Sequence, residues 1–109
     1  MQGYQLTFFT QQDRRHGWKP LAEWLVETAR DMGINGVTLI AASEGVGHDG
    51  RVHSAHFFDL ADQPIEVTMA VSAQDAERYF QRLRDEQVSV FYVKTPIEFG
   101  ITGSASEPQ

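Results

Sequence analysis

Apolar and polar residues alternate along two stretches of the chain, and this pattern predicts two half-buried strands. In the first stretch, between residues 4 and 10, Tyr4, Leu6 and Phe8 share one face. In the second stretch, between residues 65 and 71, the residues of the apolar face are Ile65, Val67, Met69 and Val71. Because successive side chains in a strand point to opposite sides, each stretch offers one apolar face to a core.

A first helix is predicted between these strands, because apolar residues recur there every three or four positions. Its apolar face comprises Leu21, Trp24, Leu25, Thr28, Ala29 and Met32. Pro20 suits the first turn, where a missing N–H costs nothing. Gly33 is expected to end the helix in a left-handed conformation, with Ile34 packed back on the last turn.

A second amphipathic helix is predicted after residue 71. Ser72 is a favourable N-cap residue, and Asp75 stands three residues later, as in a variant of the capping box. The apolar stripe that follows consists of Ala76, Tyr79, Phe80 and Leu83. The spacing of these residues indicates a helix with one buried face.

The remaining segments predict strands on either side of a loop rich in glycine. Residues 37–42, VTLIAA, are apolar on both faces, which is typical of a central strand buried on two sides. Residues 43–51 predict a loop and residues 52–60 a second extended segment. A last strand is expected over residues 88–94, with Pro96 interrupting it. The polar residues 11–17 predict a further loop, before the first helix.

This order predicts an α+β fold, the ferredoxin-like βαββαβ sandwich, with two helices on one face of an antiparallel sheet. The domain is expected to cover residues 3–100, and residues 101–109 to form a polar, disordered tail. The second sheet face would carry large apolar residues, namely Phe9, Ile40, Phe57, Phe91 and Val93. So much apolar surface on an open face predicts burial against another copy of the chain.

Composition narrows the class of protein. The chain has 109 residues and a net charge of −6, with nine basic residues against fifteen acidic ones. We therefore expect no nucleic-acid partner, since binding a polyanion needs clustered cations. The chain lacks cysteine, which excludes disulfides and thiolate chemistry. Without a long apolar run or a signal-peptide pattern, we expect a cytoplasmic protein that does not insert into the membrane.

The glycine-containing loop is the first candidate for chemistry. Gly45, Gly47 and Gly50 allow positive φ angles and a close approach of a ligand to the main chain. Consecutive N–H groups in such a loop can bind an anion. A long hairpin loop that needs glycine only for turning would show the same spacing.

Metal binding and hydrolysis are the other chemistries to consider. His48, Asp49, His53 and His56 lie within nine residues, but a zinc site needs three or four ligands that converge. On a strand, His53 and His56 would point to opposite faces, so surface histidines are favoured and no metal site is predicted. A hydrolase would use Ser43 or Ser54 with a histidine and an aspartate, but no nucleophile-elbow motif surrounds either serine. We expect a protein that is not an enzyme.

Three motifs resemble the PII-like signalling superfamily, and more narrowly its small bacterial branch filed as domain of unknown function 190. They are DRRHGWKPLAEWLV, then GINGVTL followed by GVG, and then DQPIEVTMAV. The resemblance covers about residues 3–100. It implies a homotrimer that binds an adenine nucleotide between subunits and regulates a transporter, channel or enzyme through the loop after the second strand.

The resemblance also implies the ligand-binding residues. Thr38 matches a threonine that contacts the adenine, and Gly45, Val46 and Gly47 match residues that line the cleft. His48 matches a loop position near the phosphates. The Gly-Asp-Gly-Lys phosphate loop of the family is missing, because residues 85–94 read DEQVSVFYVK.

Cations for a phosphate would then come from Arg51, Lys94 or the Arg14–Arg15 pair. The negative charge of Asp49 and the missing lysine disfavour a triphosphate, so a monophosphate, a diphosphate or a non-nucleotide small anion fits better. No cofactor is certain, and AMP, ADP and ATP are the candidates. The resemblance therefore implies a trimeric, non-enzymatic sensor that regulates an unknown partner through the loop at residues 45–53. The alternatives are a scaffold protein without a ligand and a metal-binding trimer of the copper-tolerance type.

Overall fold

The computed structural model has two helices packed on one face of a four-stranded antiparallel sheet, whose neighbouring strands are residues 38–41, 64–72, 2–11 and 91–98, in that order. The structure describes residues 1–41, 44–46, 52–54 and 63–103. The helices are α1 (Leu21–Asp31) and α2 (Ala73–Asp85). The strands are β1 (Gln2–Gln11), β2 (Arg15–His16), β3 (Lys19–Pro20), β4 (Thr38–Ala41), β5 (Glu44–Val46), β6 (Val52–Ser54), β7 (Pro64–Ser72) and β8 (Phe91–Glu98). The predicted ferredoxin-like α+β fold is confirmed.

The pairing of β1 with β7 builds the core. Leu6 lies opposite Met69 and Phe8 lies opposite Val67, and these side chains are at most 1% exposed. The alternation predicted for both strands is confirmed. The buried apolar side chains are Leu6, Phe8, Leu21, Ala22, Leu25, Ala29, Ile34, Ile65, Val67, Met69, Val71, Ala76, Tyr79 and Leu83.

The ends of α1 follow the local sequence. Pro20 is the N-cap residue, one position before the first helical residue. Gly33 has a φ of +81°, a conformation that glycine adopts without steric cost. The N–H of Ile34 donates to the carbonyl oxygen of Ala29 at 2.9 Å, and Ile34 is buried. The predicted C-terminal cap is confirmed.

Helix α2 is fixed at its start by a cap and at its middle by a buried tyrosine. The Ser72 hydroxyl accepts a hydrogen bond from the N–H of Asp75 at 3.1 Å, so the predicted N-cap is confirmed. The Tyr79 hydroxyl donates to the carbonyl oxygen of Leu25 at 2.7 Å. Burial raises the pKa of the Tyr79 phenol above its ordinary value. This hydrogen bond joins the two helices within the core.

The prediction of a central strand at residues 37–42 is wrong. Strand β4 is an edge strand that pairs only with β7 among the described strands, and its residues are exposed. Leu39 is 46% and Ile40 is 49% exposed. Apolar residues on both faces can mark a strand buried within one chain or a strand that another chain covers, and hydropathy alone does not distinguish these cases.

Two further predictions about strands were incomplete. Part of the glycine-containing loop is β5, whose Gly45 lies opposite His53 of β6. The extended segment predicted at residues 52–60 is described only over β6, and the rest of it, with Phe57, lies outside the described residues. Residues 104–109 of the expected tail also lie outside them.

Pro96 does not interrupt the last strand, contrary to the prediction. It lies within β8, opposite Tyr4 of β1. Within the described sheet, β8 is an edge strand. One side of an edge strand needs no ladder hydrogen bond, so a proline without an N–H is tolerated there.

The polar stretch before α1 is more ordered than a loop. Strands β2 and β3 pair, and the intervening turn contains Gly17 and Trp18. We call residues 12–20 the basic hairpin. Its base is joined to the rest of the fold by the Leu21 N–H, which donates to the Arg14 carbonyl oxygen at 2.7 Å, and by the Gln12 N–H, which donates to the Gln63 carbonyl oxygen at 3.0 Å.

Side chains also hold the basic hairpin in place. The Arg14 guanidinium donates to the carbonyl oxygen of Ser89 at 2.8 Å, and Nε2 of His16 lies 3.2 Å from a carboxylate oxygen of Glu86. Lys19 forms an ion pair with Glu27 of α1. The hydrogen bond between these two side chains lowers the pKa of Glu27 and raises the pKa of Lys19.

We expect Tyr79→Phe to lower the free energy of unfolding by about 1 to 2 kcal/mol, because the Leu25 carbonyl loses its buried donor. Urea denaturation of both proteins measures the difference. Tyr92→Phe is the matched control, since the Tyr92 side chain is half-exposed. Equal losses in the two variants would contradict a specific role for the Tyr79 bond.

We also expect the stability of the chain to depend on pH through the Lys19–Glu27 pair. The pKa of Glu27 lies below its ordinary value of 4.5 in the folded state. The pair therefore stabilises the fold above that pH, and the stabilisation is lost as pH falls through the lowered pKa. Lys19→Met should reduce the acid dependence of Tm, whereas Lys94→Met should not. An unchanged acid dependence in Lys19→Met would contradict this expectation.

Candidate functional site

The sheet face opposite the helices, which we call the open face, carries a row of three threonines. Thr38 lies opposite Thr68, and Thr68 lies opposite Thr7. The hydroxyl oxygens of Thr7 and Thr68 are 3.2 Å apart. Thr38, at the edge of the sheet, is exposed. Its hydroxyl is therefore accessible to a ligand, while the other two hydroxyls bond to each other.

Apolar side chains lie beside this row. Ile40, Phe91 and Val93 are between 44% and 50% exposed. The rings of Phe9 and Phe91 are 5.6 Å apart, and the register places all four residues on the open face. The predicted apolar second face is thus confirmed for these residues, and Phe57 lies outside the described residues. This exposed apolar surface fits burial against another copy of the chain.

Glu66 is the one acidic or basic side chain on the described part of the open face. It lies between Ile40 and Phe9 and is half-buried. No ion pair joins it to another described residue. Burying the face would remove this carboxylate from water, which is unfavourable unless a partner supplies a cation or a hydrogen-bond donor.

Lys94 lies on the other side of the sheet from Thr38. It is opposite Leu6, whose side chain is in the core, so its side chain points to the helix face. Its Nζ lies 4.2 Å from the centre of the Tyr4 ring and 5.9 Å from that of Phe80. Strands β4 and β8 are also at opposite edges of the sheet. A single chain therefore does not bring Lys94 and Thr38 together.

The loop residues of the predicted site are only partly described. Gly45 and Val46 belong to β5, where they pair with His53 and Val52 across the hairpin. Gly47, His48 and Arg51 lie outside the described residues, and their contacts stay predictions. Within the described ranges, no three histidine or carboxylate side chains come close enough to share a metal ion.

Sequence reasoning missed the threonine row and the isolated carboxylate. The alternation of β7 already placed Glu66 and Thr68 on the face away from the core, so their direction could have been predicted. Their neighbours could not, because the register that aligns Thr68 with Thr7 and Thr38 connects residues far apart in sequence. Sequence reasoning also missed a groove of about 500 Å³ between α1 and β4.

Comparison with known proteins supports the fold and places the chain in a family. A UPF0166 protein of Aquifex aeolicus (strain VF5) is 25% identical over 97 residues, covering 81% of this chain and 92% of that protein.

In the described part of the chain, no helix is long and apolar enough to cross a membrane.

Two solved structures share the architecture. TTHA0516 from Thermus thermophilus, named as a PII-like signaling protein, has a TM-score of 0.64 at 22% identity, covering 88% of this chain and 87% of that one. CPII from Thiomonas intermedia K12, a nitrogen regulatory PII-like protein bound to ADP, AMP and bicarbonate, has a TM-score of 0.59 at 19% identity, covering 89% and 87%. At these identities the likeness shows the fold, which is PII-like.

The sequence profile of the family DUF190, described as Uncharacterized ACR, COG1993, matches residues 3–96. The match spans most of the 109 residues and includes the main sheet except the first residue of β1 and the last two residues of β8. The resemblance indicated by the motifs is confirmed, and the protein belongs to the DUF190 family.

Proposed function

We propose that this protein is a PII-like sensor that assembles as a homotrimer through the open face and binds an adenine nucleotide between neighbouring copies. The observation that carries the proposal is the exposed Thr38 hydroxyl, at the edge of a sheet face whose apolar side chains need cover. CPII, which shares the fold, is bound to ADP and AMP. Thr38 would contact the base, and Gly45, Val46 and Gly47 would line the cleft.

Assembly is the first step of the proposal. Ile40, Phe91 and Val93 expose about half of their surface each, and removing apolar surface from water drives association. Because Thr38 and Lys94 face opposite sides of the sheet in one chain, a ligand that touches both must lie between two copies. Lys94 would then reach the phosphates from a neighbouring copy, as would Arg51 and His48 if the loop folds toward them.

The charge of the site favours a nucleotide with few phosphates. Glu66 is the one ionic side chain on the described part of the open face, and it is negative. The chain as a whole carries −6. Each added phosphate increases repulsion from this carboxylate, so AMP and ADP should bind better than ATP. This repulsion is weaker at high salt.

The output of the sensor would be the loop at residues 45–53, which would change conformation with occupancy and contact a regulated transporter or enzyme. We propose no catalytic role, since regulation by such a loop requires binding and release of the ligand rather than its conversion. A scaffold without a ligand is the competing function. It would use the same open face for assembly and leave Thr38 without a role.

We expect AMP and ADP to stabilise the protein against heat. A ligand at about 100 times its Kd adds roughly 2.7 kcal/mol to the free energy of unfolding. Thr38→Val should weaken binding by about fivefold, because it removes one hydrogen bond of about 1 kcal/mol. Thr95→Val, on the same face at the other edge of the sheet, is the control. If AMP, ADP and ATP all leave Tm unchanged, the scaffold function is favoured instead.

We expect the open face to determine the oligomeric state. Val93→Asp should dissociate the assembly, because it places a carboxylate in the apolar surface, whereas Ile101→Asp, beyond the sheet, should not.

Glu66→Gln should tighten association by roughly tenfold or more, since an amide is less costly to bury than an unpaired carboxylate. Sedimentation equilibrium measures both effects, with Glu77→Gln on α2 as the control.

Two outcomes would contradict this account of assembly. Trimers that survive Val93→Asp would show that a surface other than the open face holds the three copies together. Weaker association of Glu66→Gln would show that a neighbouring copy offers a cation to Glu66, which would reverse the expected sign.

A further inference from the structure

The tip of the basic hairpin presents a tryptophan to solvent. Trp18 is 95% exposed and occupies the two-residue turn between His16 and Lys19. Gly17, before it, has a φ of +63°, which lets the turn close tightly. The Arg15 guanidinium donates to the carbonyl oxygen of Trp18. These contacts hold the backbone of the turn and leave the indole of Trp18 in solvent.

The hairpin is held against the rest of the domain from several directions. Arg14 reaches Ser89 before β8, and Lys19 reaches Glu27 on α1. The ring of His16 lies 4.5 Å from the ring of Trp24, and its Nε2 also contacts Glu86 after α2. A segment held in this way loses little conformational entropy on binding. Tryptophan is one of the residue types enriched among the side chains that contribute most to the free energy of an interface.

The groove between α1 and β4 begins at the base of this hairpin, where Gln12 and Pro20 line it. Ala22 and Ile65 line its interior and are nearly inaccessible. Leu39, on its open side, is 46% exposed. Its volume of about 500 Å³ lies within the range of sites that enclose small aromatic groups. The groove therefore combines apolar walls for a side chain such as an indole with charged residues, namely Glu23, Glu27 and Arg30.

We propose that two copies of the chain exchange these hairpins, so that Trp18 of each copy inserts into the groove of the other. The projection and the groove lie side by side on one surface, and such a surface is complementary to itself about a two-fold axis. Charge supports this pairing. Arg15 donates to the Trp18 carbonyl oxygen. Glu23, an exposed carboxylate near the Lys19–Glu27 pair, lines the groove.

The contact differs from the proposed open-face assembly. The groove lies on the helix side of the sheet, since Leu39 and Ile65 face the core side. The exchange can therefore join two open-face assemblies without competing with either. An indole buries about 150 to 250 Å², so two indoles account for only part of the roughly 1,000 Å² of a stable interface. The association is expected to be weak and dependent on concentration.

The test uses Trp24→Phe, which leaves Trp18 as the single tryptophan of the chain. With increasing protein concentration, Trp18 emission should shift to shorter wavelength and its quenching by acrylamide should fall. Trp18→Phe, which leaves only Trp24, should show neither change. In sedimentation equilibrium, this variant should form the open-face assembly but not the larger assembly that hairpin exchange produces. Trp18 emission that stays independent of concentration, with full quenching, would overturn the proposal.

A charge exchange distinguishes the groove from other surfaces. Arg15→Glu and Glu23→Lys should each weaken the association by roughly fivefold to tenfold, and the double variant should restore it. Loss in both single variants without recovery in the double variant would overturn the pairing of these two residues. A Trp18 emission change caused by AMP at constant protein concentration would assign the tryptophan to the nucleotide, and would also overturn the proposal.

The two proposals fail separately. If AMP, ADP and ATP all leave Tm unchanged while the Trp18 signal still depends on protein concentration, the sensor function is wrong and the hairpin exchange stands. If nucleotides bind while Trp18 stays exposed at every concentration, the hairpin exchange is wrong and the sensor function stands.

Discussion

The antiparallel register between β1 and β7 is the constraint on which both the core and the candidate site depend. It pairs Phe8 with Val67 inside the domain and, one residue away, Thr7 with Thr68 on the open face. A shift by a single residue would move every side chain of β1 to the opposite face. Burial of Leu6 and Phe8 makes such a shift very costly, so the packing of the core also holds the threonine row in place.

The same register explains why one chain holds an incomplete site. Thr38 and Lys94 lie at opposite edges of the sheet and on opposite faces. Lys94 already interacts with the Tyr4 ring, and the described part of the open face has Glu66 but no cation. A nucleotide on this face would need its positive charge from the loop or from another copy. Ligand binding and assembly are therefore coupled in the proposed function.

Features set by neighbouring residues could be predicted from the sequence. The Ser72 cap, the Gly33 cap and the alternation in β1 and β7 depend on a few consecutive side chains. The edge position of β4 and the tolerance of Pro96 in β8 could not be predicted, because both depend on which strands are neighbours. Hydropathy gave the same pattern for β4 that a buried central strand would give.

The candidate site could be predicted in part for similar reasons. The motif around Thr38 identified a residue that is exposed on the open face. The direction of the Lys94 side chain could also have been predicted. Alternation had assigned Val93 to the open face, so the next residue, Lys94, had to point to the helix face. The contact of Lys94 with Tyr4 could not be predicted, because it depends on the pairing of β1 with β8. The basic hairpin could not be predicted, because its polar composition is found both in ordered hairpins and in solvated loops.

Native mass spectrometry of the wild-type chain with AMP tests the central claim most directly, since it counts chains and nucleotides in the same particle. The account predicts particles built from three chains, or from two such trimers, that carry up to one AMP per chain, and single chains that carry none. AMP retained by single chains, or trimers that remain without nucleotide at saturating AMP, would contradict a ligand site that forms only between copies.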